Sequence, residues 1–284
     1  MISSENTYAV VVWFNPTAEQ TTNLATYLYR VRHTIVVDNS ESPHDDLLHS
    51  FPADRYTYLP QCNNKGIATA LNIGCRAALD QGAQWVLTMD QDSHWDQQQL
   101  TYYLQAANEY PEHDKVGVFS PRQDYTGHTR HYTEDYEQKM AVMTSGSLLS
   151  ARGFTATQGF RDEWFIDEVD NEYCMHIRHL GMQVVVVNNA LLAHHLGVIR
   201  QIRFLGFWKK EYVDHNPIRY YYIVRNNLAL SKLYPENKHF NNHRLTKMVK
   251  RIVLYDNVHR WRSLYYCARG LQDYHRRHFG MCTR

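Results

Sequence analysis

Residues Trp85–Trp95 read WVLTMDQDSHW. The apolar run Trp85–Met89 has the length and residue types of a buried strand. It delivers two carboxylates, Asp90 and Asp92, at positions i and i+2 just where it ends. Two carboxylates that close repel each other and are costly to bury without a partner. A hard divalent cation between them, Mg²⁺ or Mn²⁺, removes that cost, because such ions favour carboxylate oxygens and take their remaining ligands from water and phosphate. An isolated D-x-D is more often a turn that caps a strand, so the flanking motifs have to decide.

Upstream, Tyr8–Phe14 (YAVVVWF) reads as a buried strand ending at Asn15-Pro16. Helical spacing follows through Leu24, Leu28 and Val31, then a second β-branched run, Thr34–Val37, which ends in Asp38-Asn39-Ser40. Strand–helix–strand order predicts a parallel sheet with both carboxyl ends on one edge, where nucleotides bind in such folds. A carboxylate at such an end, Asp38, either accepts a hydrogen bond from a base N–H or ribose hydroxyl or closes a turn. Residues Asn63–Gly74 (NNKGIATALNIG) lead into a helix running to Asp80, with Asn63 or Asn64 capping its start. Gly66, Ala68, Ala70 and Gly74 give it a surface small enough for another backbone or a diphosphate to approach. The two glycines are eight apart, so this is no G-x-G-x-x-G loop.

Downstream, Gln97–Asn108 has helical spacing at Leu100, Tyr103, Leu104 and Ala107, and Val116–Phe119 is a short strand. Residues 121–139 are polar and read as loop. Met140–Ser150 reads as a strand broken by Ser-Gly-Ser, where backbone approaches a ligand. Residues Trp164–Arg178 place acids at 167, 168, 170 and 172 ahead of Tyr173, Cys174, Ile177 and Leu180, which predicts a helix whose first turn is crowded with carboxylates. The helix dipole favours acids there, but four in six residues exceed what capping needs. After a strand at Gln183–Val187 comes Ala193-His-His-Leu-Gly197, whose histidines are candidate metal or phosphate ligands.

With 284 residues and 44% hydrophobic content, the chain can bury a full core. No apolar run approaches the ~18 residues of a membrane span. The N-terminus lacks a basic region and cleavage site, which argues against secretion. Five scattered cysteines (62, 75, 174, 267 and 282) without a C-x-x-C pair fit a reduced, cytoplasmic location. A net charge of +1 hides a split: residues 1–215 carry −10 and residues 216–284 carry +11. Composition shifts near Asp214-His-Asn-Pro217, so the expected domains are 1–215 and a basic, mainly helical 216–284. A basic tail meets something anionic, whether phospholipid, nucleic acid or a phosphorylated substrate, or docks on its own acidic body. Ile218–Leu233 is predicted helical, with Arg219 and Arg225 about two turns apart. In Arg244–Tyr255, Leu245, Met248, Val249, Ile252 and Val253 share one face opposite Arg244, Lys247, Lys250 and Arg251, the pattern of an amphipathic helix in a membrane interface or of a helix packed on its own domain.

In this order the motifs resemble the inverting family 2 glycosyltransferases, most closely their bacterial rhamnosyltransferase branch, along nearly the whole chain. The resemblance implies a GT-A fold: a Rossmann-like, nucleotide-binding mixed sheet flanked by helices, here with a C-terminal helical extension. It assigns donor recognition to Asp38 and Asn39 in VVDNS, to Asn64, Gly66 and Asn72 in N-x-G-x-A-x-A-x-N-x-G, and to Asp90. It assigns Mg²⁺ or Mn²⁺ to Asp90, Asp92 and His194, and the general base to Asp170 in FIDEVDNEYC. Arg219-Tyr-Tyr with Arg225-Asn226, and the ending ARGLQDYHRRHFG, resemble the family's closing segments. Two positions depart from the pattern. Val169 stands where a glutamate is usual, leaving Asp167 and Glu168 near enough to compete for the role of base, and His195 doubles His194.

The implied reaction moves L-rhamnose from dTDP-rhamnose to a glycan hydroxyl, with galactofuranose, glucose or galactose as alternative sugars. The implied setting is surface polysaccharide synthesis, with a lipid-linked acceptor at the cytoplasmic membrane face and peripheral attachment through the basic tail. That tail serves solubility or dimerisation if it does not meet lipid. A metal-dependent nucleotidyltransferase could use the same D-x-D but has less need of an isolated base. Only the tail suggests nucleic-acid binding, and the acidic body argues against it.

Overall fold

The computed structural model describes residues 1–124, 132–194, 199–204, 208–213, 216–255 and 258–283; of residues 194, 199–204, 208–213 and 255 it describes the backbone. The chain divides into two compact units, Met1–Asp162 with Asp170–His195, and Glu163–Val169 with Leu196–Arg284.

In the first unit, β-branched and aromatic runs form β1 (Thr7–Trp13), β2 (His33–Asp38), β3 (Tyr56–Pro60) and β4 (Trp85–Asp90). These strands are parallel, in the order β3-β2-β1-β4. Beyond β4 the sheet turns mixed. The short β8 (Leu148–Ser150) runs antiparallel to β4 and to β6 (Val116–Asp124), and β6 is parallel to the long β9 (Gln183–His194). Two small strands, β5 (Ser93–His94) and β7 (Tyr136–Gln138), pair antiparallel with β9.

Alternation along β1 sorts its side chains between two layers. Ala9, Val11 and Trp13 join Leu100, Tyr103 and Ala107 of helix α4 (Gln97–Glu109) in the main core. Val10 faces helix α3 (Ile67–Asp80), where Gly74 lies so close that an added Cβ would fall 2.3 Å from Val10 Cγ1. The small-residue surface of α3 therefore serves at Gly74 to seat the helix on the sheet. The helical segment after β1 is two single turns, α1 (Ala18–Thr21) and α2 (Ala25–Leu28), joined by a 3-10 turn at Thr22–Leu24; Val31 is buried beyond them. Helices α5 (Ala151–Thr157) and α6 (Val169–His179) follow β8.

Several expectations are corrected. Residues 121–124 extend β6 and 136–138 form β7, because pairing with β9 supplies partners that a polar local sequence does not reveal; residues 125–131 lie outside the described residues. Of Met140–Ser150, only 148–150 is strand. The close approach at Gly146 is to Pro121 and Leu192, where a Cβ would come within 2.8 Å of each, so it is protein rather than ligand that crowds this backbone. Gly66 occupies the N-cap position of α3 at φ +85°, so neither Asn63 nor Asn64 caps the helix. Helix α6 begins only at Val169, leaving Asp167 and Glu168 in a preceding loop with φ near +63°.

The second unit contains the hairpin β10 (Ile199–Phe204)–β11 (Trp208–Val213) and helices α7 (Ile218–Leu233), α8 (Lys238–Tyr255) and α9 (Arg260–Arg276). Met248 and Ile252 of α8 are buried against Tyr220 and Val224 of α7, with Leu245, Leu264 and Cys267 beside them. The apolar face of α8 is thus split: three of its residues pack inside the unit, whereas Val249 and Val253 stay exposed. Among the described residues, no helix is long and apolar enough to cross a membrane.

Candidate active site

Strand register brings the first two carboxylates to one edge. Trp13 pairs with Asp38 and Val12 with Asp90, so Asp38 and Asp90 flank the carboxyl end of β1 from its two neighbouring strands. At about 4.8 Å per strand step, that separates their backbones by roughly 10 Å, a span suited to the base-to-diphosphate reach of a nucleotide.

Asp38 is fully buried and heavily hydrogen-bonded. Its Oδ1 accepts from the Ser40 N–H at 3.0 Å, and its Oδ2 accepts from the His44 N–H (3.0 Å) and the Tyr58 hydroxyl (2.7 Å), with His44 Nδ1 at 2.9 Å. Burial alone would raise the carboxyl's pKa, but the donors from Ser40, Tyr58 and His44 outweigh it and hold it below the ordinary range. Beside it, Asn39 and Asn64 knit the β2 end to the start of α3. Asn39 Nδ2 donates to Asn64 Oδ1 (3.1 Å), which also accepts from the Gly66 N–H (3.0 Å), and Asn39 Oδ1 accepts from the Lys65 N–H (2.9 Å). Asn72 does not join them. About 9 Å farther along α3, it is buried and holds a turn: its Nδ2 donates to Phe160 O and Asp162 Oδ1, both at 2.7 Å, and its Oδ1 accepts from the Phe160 N–H.

The D-x-D turn is held by residues that sequence reading passed over. Gln91, between the two aspartates, accepts from the Phe14 N–H at 2.7 Å through Oε1 and donates back to Phe14 O, tying the turn to the end of β1. Ser145 Oγ accepts from the Asp90 N–H (3.1 Å) and donates to Ser93 Oγ (2.8 Å), bracketing Asp92 from both sides. The Asp90 charge adds to burial in raising the Tyr27 phenol. Ser93 in β5 is the register partner of His194, so the chain position of the late histidine lies directly across from the D-x-D turn. The His194 side chain and the whole of His195 lie outside the described residues. Among the described residues, no three metal-capable side chains gather.

The acidic segment is resolved into separate duties. In the first unit, Glu172 is buried and accepts from Arg161 Nε at 2.8 Å. In the second, Asp167 accepts from Nε and Nη2 of Arg219 in a fork, and Glu168 pairs with Arg244 Nη1 at 2.7 Å. Asp170, half-buried in the first turn of α6, accepts from the Asn171 N–H through Oδ1 at 2.8 Å. The guanidinium partners lie 11, 52 and 76 residues from their acids, which is why the sequence alone left the four acids undivided.

A family model, glycosyl transferase family 2, matches residues 17–168, more than half of the chain. The chain belongs to this family. As a family 2 glycosyltransferase it has the GT-A fold, a mixed sheet with flanking helices extended by α7–α9. Similar proteins include a dTDP-rhamnosyl transferase RfbF of Shigella flexneri, 28% identical over 243 residues that make up 80% of each chain. The fold is shared with S. aureus TarS 1–349 in complex with UDP-GlcNAc, at TM-score 0.57 and 12% identity, over 94% of this glycosyltransferase and 81% of that chain. It is also shared with GalNAc-T7 in its complex with UDP, GalNAc and Mn²⁺, at TM-score 0.57 and 11% identity; the match covers 72% of this chain and only 45% of GalNAc-T7.

Proposed function

We propose that this family 2 glycosyltransferase transfers L-rhamnose from dTDP-rhamnose to a hydroxyl of a glycan acceptor, with inversion, in surface polysaccharide synthesis. The geometry that carries the reading is the flanking of β1 by Asp38 and Asp90: a nucleotide laid across that strand end meets Asp38 with its base and Asp90 with its diphosphate. The choice of sugar is supported by the relative named for dTDP-rhamnose. Asp38, Asn39, Asn64 and Gly66 build the nucleoside end of the crevice, and Asn72 supports it from behind by fixing the 159–162 turn.

Asp170 is the general base. It is the acid of this segment that stands in the first turn of α6 at the place the family pattern gives to the base, while Asp167 and Glu168 in the loop before it bind Arg219 and Arg244. In the displacement, the acceptor oxygen attacks the anomeric carbon as its proton passes to Asp170. The bond from that carbon to the diphosphate oxygen breaks, and the electron pair leaves with dTDP. Asp90, Asp92 and His194 suit a hard divalent cation by their donor atoms and by the Ser93–His194 register. When bound there, Mg²⁺ or Mn²⁺ would neutralise charge on the departing diphosphate.

Attachment to an anionic membrane face, where a lipid-linked acceptor is presented, is supported by the +11 charge of residues 216–284 and by apolar side chains exposed on α8 and α9. The deciding experiment is a donor screen (dTDP-rhamnose, UDP-galactofuranose, UDP-glucose, UDP-galactose) against octyl glycoside acceptors, with and without Mn²⁺, following nucleoside diphosphate release. Turnover with dTDP-rhamnose is expected, with Asp92→Ala losing Mn²⁺-dependent thermal protection by dTDP. Asp170→Asn should keep that protection and lose on the order of 10²–10⁴-fold in kcat. An inactive Asp167→Asn or Glu168→Gln beside an active Asp170→Asn would move the base, and turnover with another sugar alone would replace rhamnose.

A further inference from the structure

The loop before α6 has an unusual backbone. Phe165, Asp167 and Glu168 all have φ between +62° and +65°, a region that side-chain-bearing residues rarely enter. Such a conformation persists only where surrounding contacts over-determine it. Here the contacts come from α7 and α8. Asn226 is fully buried, and the two N–H donors of its amide are shared among three carbonyls of the loop: Trp164 O at 3.0 Å, Ile166 O at 2.9 Å and Asp167 O at 2.9 Å. Its orientation is set by Arg225, whose Nε donates to Asn226 Oδ1 at 2.9 Å and so turns the amide nitrogen toward the loop. Arg225 is itself buried, donates to Trp164 O (3.1 Å) and Gly280 O (2.8 Å), and lies over the rings of Tyr221, Tyr222 and Phe279. Arg219 and Arg244 clamp the two loop carboxylates, and Phe165 stacks on Tyr222 at 5.4 Å.

We infer that Asn226, oriented by Arg225, is a positioning residue of the transfer reaction: it holds the left-handed loop 165–168 that runs directly into the first turn of α6, the turn that carries Asp170. The inference rests on the reading of Asp170 as general base. A single amide reaching three carbonyls spans the turn in a way that the peripheral ion pairs do not. The Arg-Asn pair at 225–226 thereby has a task that its sequence context does not disclose.

The test uses the full chain. In Asn226→Ala, amide hydrogen exchange across 165–170 should quicken at least tenfold while β1 and β4 are unchanged. The kcat for dTDP-rhamnose transfer should fall ten- to a hundredfold with dTDP affinity held within twofold. Arg219→Met, which removes a half-exposed clamp and leaves the buried amide in place, should show the same pattern more weakly and guards against a misfolded Asn226 variant. In an Asp170→Asn background neither change should lower the residual rate further. If Asn226→Ala quickens exchange nowhere in 165–170 and kcat is kept, or if it costs as much in the Asp170→Asn background as in the wild type, the positioning role is wrong and the base assignment stands. If Asp170→Asn is itself active, the base assignment fails first, and the exchange data alone then judge whether Asn226 holds the loop.

Discussion

Asp38 combines full burial with an ionised state, and its four donors explain how. Each hydrogen bond to a charged group is worth about 1.5–3 kcal/mol when its loss leaves no substitute, and Asn in its place keeps the shape but turns one acceptor oxygen into a donor facing Tyr58 and the His44 N–H. Asp38→Asn should therefore destabilise the protein by about 2–3 kcal/mol at neutral pH. A carboxyl whose folded pKa is depressed contributes stability that is present above its unfolded pKa and lost as pH falls through the folded value. The gap between Asp38→Asn and wild type should accordingly narrow as pH drops below about 4, the ordinary carboxylate range. Urea titrations at pH 7 and pH 3.5 measure it; an equal gap at both would show that Asp38 is not held ionised by these donors. The roles of Gln91 and Ser145 were illegible in sequence for a plain reason: an amide between two aspartates and a serine 55 residues from Asp90 acquire meaning only from the partners the fold supplies.

Helix α3 illustrates how an element's apparent motif can serve packing. Its small residues suggest a ligand surface, yet Gly74 is pressed on Val10 and Val37, both fully buried. An alanine there gains about 1 kcal/mol of helix propensity and loses about 1–3 kcal/mol to overpacking, with the Cβ at 2.3 Å from Val10 Cγ1 pushing toward the upper end. Gly74→Ala is expected to lower the melting temperature by several degrees, and Val10→Ala should recover part of the loss. A melting temperature at or above wild type would mean that the helix has slack against β1. The proposed donor-site residues Asn64 and Gly66, more than two turns before this contact, do not depend on Gly74 for hydrogen bonds, so dTDP affinity should survive in the folded fraction.

Charge and exposed apolar area together give the proposed membrane attachment its molecular form. Arg244 is spent on Glu168, Arg251 meets the Tyr220 hydroxyl, and Leu245, Met248 and Ile252 are packed inside, so these cannot face a lipid surface. Exposed instead are Val253 and Leu254 at the end of α8, Val258, and Trp261 (81% exposed) and Tyr265 on α9, with Lys247, Lys250 and Arg262. Aromatic and aliphatic side chains of this kind enter the headgroup region while basic ones meet anionic lipid, at about 1 kcal/mol per charge. Flotation with vesicles rich in phosphatidylglycerol should show binding at low salt that high salt largely releases. Reversal of Lys247, Lys250 and Arg262 to Glu should abolish it, and Trp261→Ala with Leu254→Ser should remove the salt-resistant remainder. Absence of binding at low salt, or binding indifferent to the charge reversal, would leave the tail to solubility or self-association.

Local pattern was enough for much of this protein. The β-branched runs of β1, β2 and β4, the carboxylates at their ends, and the helices α3, α4 and α7 follow from periodicity and from end residues that lie within one element, so a sequence window contains all the physics that forms them. The order of those pieces also sufficed to point to the family. What the fold alone decided depends on partners far apart in the chain: the extension of β6 and β7 along β9, the turn held on Asp90 by Ser145, the division of four acids by Arg161, Arg219 and Arg244, and the face of α8 that is buried. A carboxylate and a guanidinium have no preferred partner until the chain brings one pair within hydrogen-bond reach, and a helix face is buried or exposed according to what packs on it. Those choices are made by tertiary contact energies, which no local stretch carries.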